Sequence, residues 1–219
     1  MAYQAVIFDL DGTLIDSALG LTDSLNVLLT GLGRRTVTVS QVHQMIGEGA
    51  AMLVQRALQA TGPVHDVPQH TQRFLEIYDS LATTHTRAFD GVASLLEELS
   101  SRAVPCALCT NKPAKPTAQI LAHLGWSSWL SVVVAGDSLP VRKPDPAMVV
   151  HCLDAMKCSP DAAVLIGDSP ADAAAAKAAG VDFVAVSWGY SRVDVQSLPS
   201  KKVVHHMDEL RALLRSQTI

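Results

Sequence analysis

Concentrated positive charge is missing from this sequence. Its 219 residues hold 17 lysines and arginines against 21 aspartates and glutamates, a formal charge of -4, with no basic run. Nucleic acids and anionic membrane surfaces are gripped by clustered cations, so neither is an expected partner, and a local basic pocket is the most that this composition allows. Long hydrophobic runs are also missing. No stretch approaches the roughly 20 apolar residues that a spanning helix needs, so no membrane segment is expected. The first apolar run begins at Ala5, which leaves no room for a secretory leader and makes the cytoplasm the expected compartment. Cysteines are few: Cys106, Cys109, Cys152 and Cys158. The Cys106-x-x-Cys109 spacing suits redox or metal chemistry, but it falls inside a strand-like segment where residues three apart face opposite ways. With no partner histidines nearby, reduced and mostly buried thiols are expected. Internal repeats are absent, and the one biased tract is the alanine-rich stretch after Pro170.

What is present is a compact chain, 48% apolar and 17% charged, long enough to bury a sizeable core. The first segment, Ala5–Phe8, reads as a strand and gives way to Asp9-Leu10-Asp11-Gly12-Thr13. An acid inside a strand covered on both faces is costly, so Asp9 and Asp11 are expected just past its carboxyl end, where open α/β sheets place ligands. Thr13 suits a turn and an anion contact. From Ser17 to Leu81 four amphipathic segments follow with no strand between them, and Thr38 with Gln41 resembles a capping box. Four successive helices are not single crossovers of a βαβ series. A helical cap over 17–83 is therefore expected, inserted into a core formed by 1–16 and 84–219. Beyond residue 89 strands and helices alternate regularly. The expected fold is α/β, a doubly wound parallel sheet with a Rossmann-like core.

Later strands end at the same edge in polar residues: Thr110-Asn111-Lys112, then Gly167-Asp168-Ser169 with Asp172 one turn on, and the Arg142-Lys143-Pro144 segment between them. Acids, a hydroxyl and a lysine converging in this way fit phosphoryl transfer. The dianion needs cations and hydrogen-bond donors, here Lys143, Thr110 and backbone N–H groups after Asp9. A carboxylate nucleophile approaching phosphorus meets repulsion that a hard cation offsets, and Mg²⁺ suits an all-oxygen shell of Asp9, Asp168 and a backbone carbonyl. Asp9 is the expected nucleophile and Asp11 the expected acid and base.

These residues resemble the haloacid-dehalogenase-like superfamily of phosphohydrolases, with FDLDGTLIDS, Thr110-Asn111, Lys143-Pro144 and IGDSPADAAAAKAAG standing where its four motifs stand. The resemblance covers nearly the whole chain. It implies an aspartyl-phosphate on Asp9, the Asp11 backbone carbonyl and Asp168 on Mg²⁺ with Asp172 beside them, and Thr110 and Lys143 on phosphate with Asn111 orienting the phosphate loop. Asp11 argues against the carbon-attacking dehalogenases, which lack the second acid. IGEGAAMLVQRAL, TNKP and WGY look most like the bacterial phosphoglycolate phosphatases. Glu48 departs from that group, which more often has a neutral polar residue there, and a carboxylate would repel an acidic substrate. Discrimination among leaving groups falls to the cap, with Gly47, Glu48, Gly49 and Arg56 as candidate substrate contacts. The expected reaction is hydrolysis of a small-molecule phosphomonoester by a monomer or homodimer. The alternatives are a phosphomutase of the β-phosphoglucomutase type and a non-catalytic binding module on the same fold.

Overall fold

A computed structural model describes residues 3–217. β1 (Ala5–Phe8) is the hub of a parallel sheet completed by β4 (Cys106–Cys109), β5 (Val132–Val134), β6 (Ala163–Gly167), β7 (Asp182–Val186) and β8 (Lys202–Val204), in the order β5-β4-β1-β6-β7-β8. Ile7 sits level with Ala107 on one side and Leu165 on the other. Strand side chains alternate between faces. Val6, Phe8, Cys106 and Leu108 accordingly join one buried cluster, while Ile7, Ala107, Cys109 and Leu165 join the other. Cys106 and Cys109 thus point to opposite sides of the sheet, and all four cysteines are free.

Both faces are covered, as a parallel sheet requires. α7 (Ala147–Met156) and α8 (Pro170–Ala179) close one face with Met148, Val149, Cys152 and a run of small alanines. α5 (Val92–Ser101), α6 (Ala114–Leu124) and α9 (Met207–Gln217) close the other through Leu95, Leu96, Ile120, Leu121, Leu210 and Leu214. Trp126 is buried in that second layer as packing, and Trp129 rests partly buried against it.

Four helices lie between the first motif and the second sheet strand: α1 (Ala18–Gly31), α2 (Val39–His43), α3 (Ala50–Thr61) and α4 (Val67–Leu81). The Thr38–Gln41 capping box opens α2. Leu25, Leu29, Val42, Val54, Leu58 and Phe74 knit the four together in a core continuous with one face of the sheet. At their base β2 (Ile15–Asp16) pairs antiparallel with β3 (Arg87–Ala88). The chain returning from the fourth helix therefore reaches the core through a short strand. No helix among the described residues is long and apolar enough to cross a membrane.

Candidate active site

The strand order reverses at β1, whose neighbours β4 and β6 begin the two halves of the sheet. A crevice opens at such a point beyond the carboxyl ends. Asp9 follows β1 and is tied to β6 by its N–H, which donates to the Ile166 carbonyl at 2.9 Å. Asp168 follows β6. Asp9, Asp168 and Asp172 are all buried, and each offers a carboxylate oxygen within 4.8 Å of the others. Lys143 is only 3% exposed, and its ammonium donates to Asp9 Oδ1 (2.7 Å), Asp172 Oδ1 (2.6 Å) and the Cys109 carbonyl (2.5 Å). It faces the acids instead of solvent.

With three carboxylates gathered here and one ammonium, bonded to Asp9 and Asp172, full ionisation would leave two negative charges without a counter-charge. Burial pushes the Asp9 carboxyl up, and although Lys143 pulls it down, repulsion from Asp172 and Asp11 helps hold it at about 7. Burial, then Asp9 and Asp172, raise Asp168 as well. Burial disfavours the Lys143 ammonium, yet Asp172 and Asp9 outweigh it and hold its pKa well above the ordinary value. An all-oxygen donor set with this charge excess fits a hard divalent cation.

The same excess carries a stability consequence. A carboxyl at about 7 in the folded chain, against 3.8 as its ordinary value, keeps a proton that the unfolded chain has released. Stability fully present below pH 3.8 is therefore lost as pH rises through about 7. The chelated protein is expected to melt lower at pH 8 than at pH 6, with a flatter pH dependence in Asp9→Asn and a smaller difference when a divalent cation is added. Parallel melting curves for the two proteins would reject this charge arrangement.

Asp11 takes a different environment. Its carboxylate oxygens lie 2.9 and 3.1 Å from Lys112 Nζ, and Ser17 Oγ donates to Oδ1 at 2.5 Å. It therefore stands beside the three-acid group with its own counter-ion. Gly12, at φ +88°, lets the chain turn here; a Cβ there would lie 2.5 Å from Asp168 Oδ2. Of the backbone N–H groups after Asp9, those of Gly12 and Thr13 are bound to the carbonyls of Ile15 and Leu10. Thr13 is buried, its hydroxyl 3.4 Å from Asp168 Oδ1, and the Trp188 indole N–H donates to its carbonyl.

Asp172 also closes a capping box at the start of α8: Ser169 N–H and Oγ reach its Oδ2 at 3.0 and 2.6 Å. One oxygen thus holds the helix and the other holds Lys143. Thr110 Oγ1 accepts the Lys112 N–H at 3.2 Å and lines the cavity. Asn111 acts as a clamp. Its Nδ2 donates to the carbonyls of Gly47 (3.0 Å) and Lys143 (2.9 Å), and its Oδ1 accepts the Lys143 N–H (3.0 Å). One amide thereby ties the helical insert to the core.

These groups surround a cavity of about 310 Å³. Asp9, Asp11, Thr110, Asn111 and Asp168 form its floor, and Gly47, Glu48 and Gly49 stand on its wall. Arg56 is not among the lining residues. Its guanidinium is taken up by Glu48 (2.6 Å) and the Met45 carbonyl (3.0 Å), which corrects the expectation of a direct substrate contact. Glu48 also pairs with Arg192. Burial pushes the Glu48 carboxyl up, but Arg56 and Arg192 outweigh it and hold it low.

Several lining residues had gone without an assigned role. Lys112, Tyr78 and Arg192 all reach the cavity. Tyr190 donates its N–H to Asp168 Oδ2 at 2.5 Å, stacks on His43 and binds Asp16 through its hydroxyl. The attachment of the Trp188-Gly189-Tyr190 loop to Asp168 has no signature in sequence spacing. His205 and His206 lie exposed, away from the cavity.

Residues 6–186 match the family described as haloacid dehalogenase-like hydrolase. The phosphoglycolate phosphatase of Rhodospirillum rubrum is 42% identical over 202 residues, 89% of this chain and 84% of that protein. The phosphoglycolate phosphatase of Cereibacter sphaeroides is 37% identical over 213 residues, 96% of this chain and 97% of that protein. Among solved structures, a predicted phosphoglycolate phosphatase from Haemophilus somnus superposes with a TM-score of 0.91 at 26% identity, covering 96% of this chain and 97% of that one. With its acids, lysine and strand order arranged as described, the chain belongs to the haloacid dehalogenase-like hydrolases.

Proposed function

We propose that the protein is a Mg²⁺-dependent phosphomonoesterase whose substrate is phosphoglycolate or a similarly small phosphorylated acid. The observation that carries the reading is the meeting of Asp9, Asp168 and Asp172 around Lys143, with Asp11 on a separate counter-ion alongside. Asp9 and Asp168, together with the Asp11 backbone carbonyl, would hold the cation, and Asp172 keeps Lys143 in place. When bound, Mg²⁺ supplies the positive charge that lets an anionic nucleophile and a phosphate dianion share one space.

In the first step Asp9 attacks phosphorus, the bond from phosphorus to the leaving oxygen breaks, and Asp11 delivers a proton to that oxygen. In the second, Asp11 takes a proton from water, the water oxygen attacks the aspartyl-phosphate, and Asp9 leaves as carboxylate with release of phosphate. Lys143 balances charge at Asp9 throughout, and Thr110 faces the same cavity with its hydroxyl. We assign the four-helix insert the role of a cap that excludes bulk water during the first step.

Cavity size and lining support a small substrate. A volume of about 310 Å³ is at the low end for ligand pockets. The insert meets it largely with Leu21, Ile46, Leu53, Phe74 and Leu75, a surface poorly suited to gripping the hydroxyls of a phosphosugar during a mutase cycle. The test is phosphate release across small phosphomonoesters, including phosphoglycolate and sugar phosphates, before and after chelation. EDTA is expected to silence turnover and Mg²⁺ to restore it. Turnover unaffected by chelation would reject the cation site, and transfer of phosphate to sugar without release would favour the mutase.

A further inference from the structure

Two groups on the cavity wall have so far been given no contact with the substrate. Lys112 stands three residues past β4, and its buried ammonium lies 4.8 Å from the centroid of the Tyr78 ring while holding Asp11. Tyr78 belongs to α4, and its buried hydroxyl has Lys112 and Thr86 as polar neighbours but makes no well-formed hydrogen bond to either. Here it stands beside a buried cation, and the rest of the insert's wall is largely apolar.

We propose that Lys112 and Tyr78 form a subsite for a carboxylate on the leaving group, and that Lys112 is the specificity-determining residue of the reaction. The inference rests on the phosphomonoesterase reading and extends it. Asp11 is the residue that meets the leaving oxygen, and Lys112 is within hydrogen-bond distance of it. A carboxylate whose carbon is two bonds beyond that oxygen, as in phosphoglycolate, comes within reach of the ammonium. It takes over donors that Asp11 otherwise holds and offers Tyr78 Oη a charged acceptor. A neutral alcohol leaving group offers no such exchange. The carboxylate of Glu48, also on the wall, does not oppose this, because Arg56 and Arg192 already neutralise it.

The experiment compares kcat/KM for phosphoglycolate and for 2-hydroxyethyl phosphate, which has an alcohol in place of the carboxylate. A charged hydrogen bond predicts a preference for phosphoglycolate of about tenfold to a hundredfold in the unmodified protein. Lys112→Met is expected to bring the ratio close to one, Lys112→Arg to recover part of it, and Tyr78→Phe to lower it severalfold, mainly through KM. Equal preference in the unmodified protein would overturn the inference, as would an equal loss on both esters in Lys112→Met. Should Lys112→Met fail to fold, Tyr78→Phe and the unmodified ratio decide the question alone. No phosphate release from either ester would overturn the phosphomonoesterase reading, and this inference with it.

Discussion

Asp9→Asn is expected to reduce phosphate release to background, a loss of about a thousandfold or more. The amide matches the carboxylate in shape and can still accept the Lys143 hydrogen bond through its oxygen, so the site should keep its form. What it loses is the anionic oxygen that attacks phosphorus. Removing a charge from a cluster with two uncompensated negatives should also raise the melting temperature of the chelated protein at pH 8. The pairing of lost activity with gained stability separates a missing nucleophile from a damaged fold. Retained turnover would remove Asp9 from the mechanism, and a fall in melting temperature would contradict the charge balance described for the site.

Lys143→Met is expected to harm the fold itself. The substitution fills a similar volume but leaves Asp9, Asp172 and the Cys109 carbonyl buried without their shared donor. Breaking a buried ion pair from one side costs about 3–5 kcal/mol, a large part of the roughly 5–15 kcal/mol that holds an ordinary domain together. The urea midpoint should drop accordingly, and the deficit should shrink as pH falls and the carboxyls accept protons. Lys115→Met supplies the comparison, since Lys115 pairs with Asp79 at 2.8 Å on the surface and such pairs contribute about 1 kcal/mol or less. Equal shifts in the two variants would show that Lys143 carries no special burden. Activity of Lys143→Met should be absent even where the chain remains folded.

Much of this arrangement is written in local patterns. Apolar runs ending in DLDG, TNK and IGDS state both the strands and their polar tips, and a parallel sheet brings those tips together whatever the detailed packing. The insert was legible because four amphipathic stretches in a row leave no strand for them to cross between. β2 and β3 were not, since two residues carry no periodicity and their pairing joins positions 15 and 88. Arg56 misled because helical spacing places a side chain on a face without saying which neighbour claims it; Glu48 does. Lys112 sits in a polar tip where solvent is the ordinary expectation, and its burial depends on Tyr78 arriving from α4. Tyr78 in turn falls with Phe74 on the buried face of α4, and the approach of its ring to Lys112 is invisible to any pattern of hydrophobicity.

The pairing of Ile15–Asp16 with Arg87–Ala88 means that the polypeptide departs from and rejoins the sheet side by side. Anything strung between those two points can lengthen, shrink or be exchanged without shifting the alignment of β1 with β4 and β6. The part of selectivity that the intervening helices supply, Tyr78 included, is therefore free to drift over evolutionary time, while Lys112 and the acids below them stay in register.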